Sequence, residues 1–158
     1  MKNINPIPYG VLKAFEKEIN GDVQTDNHKL DECCPPNQST CYGIVFEEAD
    51  QDKIFLIHVT GFINLTSSDS FKLIDVNSSA GEVPRVKYWV DRGIDLSANA
   101  NWAPVFVSAK LESPLIAIDG NHRLMAHFLT HRSIEGIRAY LYVHSNISQW
   151  GLNPRRTI

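Results

Sequence analysis

The chain has 158 residues, 43% of them hydrophobic and 21% charged, which suits one soluble domain with its own core and falls short of two. Its formal net charge of -3 offers no global basic field for a nucleic acid backbone, and no apolar run approaches the roughly 18 residues of a membrane helix. Three cysteines are an odd number, which argues against a disulfide framework, and MKNINPIPYG lacks the apolar core of a secretory signal, so a cytoplasmic protein is expected.

Along the chain, residues 11–19 read as a short amphipathic helix, with Val11, Leu12, Phe15 and Ile19 on one face. Residues 21–40 are polar and aperiodic and read as loop. Within and beside that loop, His28, Cys33, Cys34 and Cys41 either form a zinc knuckle or remain reduced thiols; the spacing lacks a Cys-x-x-Cys pair and favours thiols. The runs 41–46 and 54–60 are rich in β-formers around a polar turn, and predict a hairpin. A polar break at 67–70 divides this N-terminal part from the rest of the chain. Residues 71–76 read as a strand. Residues 84–92 read as a helix, with Pro84 in its first turn, Val86, Trp89 and Val90 on one face, and Gly93 as its stop. Strands are expected at 105–108 and 115–118.

The most informative stretch is 114–143. The apolar run Leu115 to Ile118 stops at Asp119-Gly120, Asn121-His122-Arg123 come at once after it, and a helical pattern runs to about His131 before a second apolar run over 137–143. This is strand, tight turn, helix, strand. Such a turn suits phosphate. Gly120 permits a positive φ and a close backbone approach. The helix start points free N–H groups and the positive end of its dipole at the turn. Arg123 offers a planar fork for phosphate oxygens, and His122 a group that moves protons near neutral pH. An arginine in the first turn stands at the unfavourable end of the dipole, and an anion facing it would resolve the conflict. Each residue also has a plainer reading. Gly120 serves any strand-to-helix turn, Asp119 and Asn121 are both good helix caps, and His122 can bond a nearby carbonyl. His127 and His131 share a face four residues apart, and with no acidic partner evident they read as a solvated face.

The order FKLIDV, VPRVKYWVDRG, APVFVSA, PLIAIDGNHRLMA, GIRAYLYV resembles the ParB/sulfiredoxin-like superfamily over roughly the second half of the chain. The box Asp119-Gly120-Asn121-His122-Arg123 carries the resemblance. It implies an α/β (α+β) fold over residues 67–145, a small mixed sheet with short helices; the residue pattern alone adds a helix-plus-hairpin extension over 1–66 and a tail over 146–158. It implies that Gly120, Asn121, His122, Arg123 and the more distant Arg85 hold the phosphates of a nucleotide. It gives catalytic roles to His122, Asp119 and Glu82, with Mg²⁺ and a nucleoside triphosphate as cofactors. The expected function is an ATP- or other NTP-dependent phosphotransferase or hydrolase acting on a small-molecule or protein acceptor. The alternatives are a nuclease-like toxin or defence protein, and a non-catalytic module regulated by nucleotide. Two departures narrow the choice. Sulfiredoxins place a catalytic cysteine where this chain has Asn121, and partition proteins append a helix-turn-helix for which residues 144–158 are too short.

Overall fold

The computed structural model describes residues 1–12, 39–58, 60–112 and 114–145. The protein has a mixed α/β fold built on one six-stranded sheet. The strands are β1 (Lys2–Ile7), β2 (Thr40–Val45), β3 (Ile54–Leu56), β4 (Val105–Ser108), β5 (Leu115–Asp119) and β6 (Arg138–Val143). They lie side by side in the order β1-β2-β6-β4-β5-β3. β3 runs parallel to β5, and β4 parallel to β6; the other pairs are antiparallel. Two α-helices are described in full, α1 (Pro84–Asp91) and α2 (Asn121–His131), and they pack on each other.

The period-two alternation of the central strands sorts the core into two layers. Phe106, Leu115, Ala117, Ala139 and Leu141 face the main core, which also holds Val86 of α1 and Leu124, Met125 and Phe128 of α2. Val105, Val107, Ile116 and Tyr142 point to the other face, with Cys41 and Leu12. Both faces of the inner strands are therefore covered, and β4 is buried along its whole length.

The expected elements from α1 to β6 are present within a residue or two. The hairpin is not. β2 pairs with β1 and β6, while β3 pairs in parallel with β5. Between β2 and β3 lies a 3-10 helix, Glu48–Lys53, closed by a capping box between Glu47 and the buried Asp50. That helix carries the chain across the sheet instead of folding it back. Residues 71–76 are likewise no strand. Only single bridges, Phe55 to Lys72 and Thr66 to Val76, flank a 3-10 turn at Leu73–Asp75. Phe71 takes a positive φ of 57°, and Ser70 donates its hydroxyl to Asp75, so the chain turns where alternation alone reads extended. The segment 1–66 supplies β1, β2 and β3, half of the strands in the sheet. Residues 9–12 are helical, and the rest of the expected 11–19 helix lies outside the described residues, as do Cys33, Cys34 and His28. No helix among the described residues is long and apolar enough to cross a membrane.

Candidate phosphate site at the β5–α2 turn

β5 lies inside the sheet between β3 and β4, so its C-terminal end opens onto the ends of two neighbours. The chain leaves it through Gly120, at φ 83° and ψ 12°, and enters α2 at Asn121. Gly120 is the N-cap residue, and no side chain caps the helix; the expected Asp119 or Asn121 cap is absent. A Cβ at Gly120 would lie 3.0 Å from Pro104 Cβ, so the position demands glycine for its backbone angle and its space.

Asn121 is buried, 6% exposed, and its amide is engaged on both sides. Its Oδ1 accepts from the Ile57 N–H at 3.0 Å, and its Nδ2 donates to the Ala117 carbonyl at 3.0 Å. It ties the end of β3 to β5 and the helix start. Its side chain is spent on the fold; its backbone amide, like those of His122 and Arg123, has no intrahelical acceptor in the first turn.

Beside this turn lies a cavity of about 510 Å³. From α1 it takes Pro84, Arg85, Tyr88 and Trp89, and from the turn Asp119, Gly120, His122 and Arg123. The structure thus brings Arg85 to the box from a helix more than thirty residues away in sequence. Arg123 is only 9% exposed, and its Nη2 meets Asp119 Oδ2 at 3.2 Å. The dipole conflict of Arg123 is therefore eased from within, by the carboxylate one turn back. Arg85 is exposed and makes no ion pair with a described residue. His122 is half-buried, with the Phe62 ring edge-on at 5.4 Å. Burial, reinforced by the nearby Arg85 and Arg123 charges, holds its pKa below the ordinary histidine value. That shift favours the neutral imidazole. Glu82 is exposed at the end of the 3-10 turn Ser78–Glu82 and does not line the cavity.

Sequence reasoning missed the aromatic part of the wall. Tyr88 and Trp89 follow Arg85 at helical spacings of three and four residues, a signal that marks one face of α1. It also misread the histidine pair of α2. His127 is 3% exposed and both its nitrogens are used: Nδ1 accepts from the Leu96 N–H at 3.1 Å, and Nε2 lies 3.0 Å from the Ser133 carbonyl. Asp95 approaches His127 at 4.0 Å, and His131 lies beside them, its Nε2 2.8 Å from the Ile94 carbonyl. The three residues have the composition of a metal site. A cation there would have to displace the Leu96 amide from His127. The cluster instead pins the 94–97 loop onto α2.

Comparison with protein-family models, with curated proteins and with solved structures finds no match for this chain.

Proposed function

We infer that the cavity at the β5–α2 turn binds the phosphates of a nucleotide, in an NTP-dependent phosphotransferase or phosphohydrolase of the ParB/sulfiredoxin-like type working in the cytoplasm. One observation carries this reading: the Gly120 turn, at φ 83°, starts α2 in the wall of the same cavity that Arg85, His122 and Arg123 line. Against these stands one carboxylate among the described lining residues, Asp119, already engaged by Arg123. The balance favours an anion.

The chemistry rests on the groups present. Arg123 and the helix amides stabilise charge on the phosphoryl group in transfer. Arg85, exposed at the cavity wall, closes over the ligand. The bond from the terminal phosphorus to its bridging oxygen breaks while a bond to the acceptor oxygen forms. His122, neutral because its pKa is depressed, accepts the acceptor's proton. Asp119, the one carboxylate among the described lining residues, would be the hard oxygen donor to a Mg²⁺ ion carried on the phosphates; such an ion takes one or two carboxylates and keeps several waters. Mg²⁺ would neutralise developing charge on the leaving oxygens. Glu82, outside the cavity, has no part in this scheme.

A second reading, a nucleotide-regulated binding module without turnover, is favoured by the Asp119–Arg123 pair, which leaves no second carboxylate among the described lining residues to orient an acceptor. A thermal-shift panel of ATP, CTP, GTP, UTP and short single-stranded nucleic acid, with and without Mg²⁺, tests the site. Release of inorganic phosphate separates the two readings. A rise in melting temperature with nucleoside triphosphate that is lost in Arg123→Ala supports the site; a rise with single-stranded nucleic acid alone transfers the cavity to the nuclease class.

A further inference from the structure

The cavity is lined by two chemically different sets of side chains. One is cationic, made by Arg85, His122, Arg123 and the Gly120 turn. The other is aromatic, made by Tyr88 and Trp89 beside Pro84. A phosphate group alone uses the first set and leaves the second without a partner in the ligand. Tyr88 is 48% exposed, one of three large hydrophobic side chains so exposed among the described residues. Its place is fixed from two sides. The Arg92 guanidinium lies 3.5 Å from its ring centre and donates to the Tyr88 carbonyl, and Trp89 meets it edge-on at 5.1 Å. Trp89 is braced in turn by Trp102 at 5.0 Å. The result is a braced aromatic ledge in the wall of the same cavity, whose volume of about 510 Å³ exceeds what a bare anion fills.

We propose that the heteroaromatic ring of the nucleotide stacks on the exposed ring of Tyr88, with Trp89 set edge-on beside it. The inference rests on the phosphate reading of the β5–α2 turn and adds to it the side chain that holds the base. A base stacked on an aromatic ring gains affinity whatever its identity, because every base presents a π-face. At the ledge the lining side chains offer only the Tyr88 hydroxyl and the Trp89 indole N–H as directional groups. The site therefore accepts several bases, with purines ahead of pyrimidines by their larger face. Arg92 on Tyr88 adds positive charge to the platform and suits an electron-rich ring.

The test uses the full chain and three probes, inorganic tripolyphosphate, ATP and UTP, in Mg²⁺-free buffer, with dissociation constants from calorimetry. Wild type should bind ATP about tenfold more tightly than tripolyphosphate, within the range of one base–aromatic stack. UTP should fall between them. Tyr88→Ala should weaken ATP to the tripolyphosphate level and leave tripolyphosphate itself unchanged. Tyr88→Phe should retain the ATP advantage, since it keeps the ring. Equal binding of tripolyphosphate and ATP to wild type would overturn the ledge and leave the cradle standing. Equal weakening of both probes by Tyr88→Ala would also overturn it, by showing that Tyr88 supports the cavity wall and not a base. No binding of any probe would overturn the cradle and the ledge together.

Discussion

Arg123 reaches back one helical turn to Asp119, Nη2 to Oδ2 at 3.2 Å, and the pair bridges the glycine that joins β5 to α2. The two charges have opposite effects on a bound phosphate, so the pair separates binding from folding. Arg123→Ala removes the attractive charge beside a partly exposed carboxylate, which should cost about 1–2 kcal/mol of apo stability, less than a fully buried pair because Asp119 remains partly in water. Asp119→Asn keeps a hydrogen-bond acceptor for Arg123 and removes the repulsion. In Mg²⁺-free buffer it should bind tripolyphosphate several-fold more tightly than wild type, while Arg123→Ala should bind it at least tenfold more weakly. Urea denaturation and calorimetry on the same preparations check both signs.

Gly120→Ala should strain the turn itself. It forces a Cβ into the left-handed region and to 3.0 Å from Pro104. The strain alone is worth about 1–2 kcal/mol, and the contact adds to it. On the proposed reading the amides that follow this residue hold phosphate, so phosphate affinity should fall more than stability does. Retention of wild-type binding by a folded Gly120→Ala protein would mean that the amides do not touch the ligand.

Asn121 shows how the fold and the site share residues. Asn121→Ala removes the partner of the Ile57 N–H and of the Ala117 carbonyl, and each such loss costs about 1–3 kcal/mol. Asn121→Asp satisfies Ile57 but sets a carboxylate oxygen against the Ala117 carbonyl, so it should destabilise too, and more at neutral than at acid pH. Chemical denaturation at pH 7.5 and pH 5 compares them.

These relationships differ in how visible they are in the sequence. The β5–turn–α2–β6 run was readable because its signals are local: alternation in the strands, a helical stripe of Leu124, Met125 and Phe128, and a glycine between them. α1 was readable through Pro84 and Gly93 for the same reason. Pairing partners were not. Nothing in Ile54–Leu56 says that it joins β5 in parallel and not β2 in a hairpin, since that choice is made by long-range packing. The Phe71 turn was hidden by an alternating FKLIDV pattern that a positive φ overrides. The box itself was legible in composition, while the engagement of Asn121 with Ile57, the Asp95 contact to His127 and the aromatic wall all depend on residues brought together from distant segments.

Three histidines give the apo protein an acid-sensitive stability. Burial lowers the pKa of His58, of His122 with help from Arg85 and Arg123, and of His127 with help from His131 and against a smaller opposing pull from Asp95 and the Ser133 carbonyl. A depressed folded pKa means that the unfolded chain takes up protons first, near its ordinary value of about 6.5. Their contribution is therefore complete above roughly pH 6.5 and is lost as pH falls through the folded values. The urea midpoint should drop between pH 7.5 and pH 5.5. His122→Gln should flatten part of that slope, and a slope of opposite sign would contradict the neutral, buried imidazoles.

Arg85 offers the cleanest separation of electrostatics from structure. It is exposed and has no ion-pair partner among the described residues, so Arg85→Ala should change apo stability by less than about 0.5 kcal/mol. It nevertheless depresses the His122 pKa by its charge. Removing it should raise that pKa toward the ordinary value, a shift that proton NMR titration of the His122 ring reads directly. If Arg85 also closes on phosphate, the same variant should weaken tripolyphosphate several-fold and reduce the salt dependence of binding, because one charge contact is lost. Arg85→Lys should restore the His122 shift fully and the affinity in part, since an ammonium keeps the charge without the planar fork. A restored pKa with no change in affinity for either variant would place Arg85 beside the cradle electrostatically and outside it as a ligand.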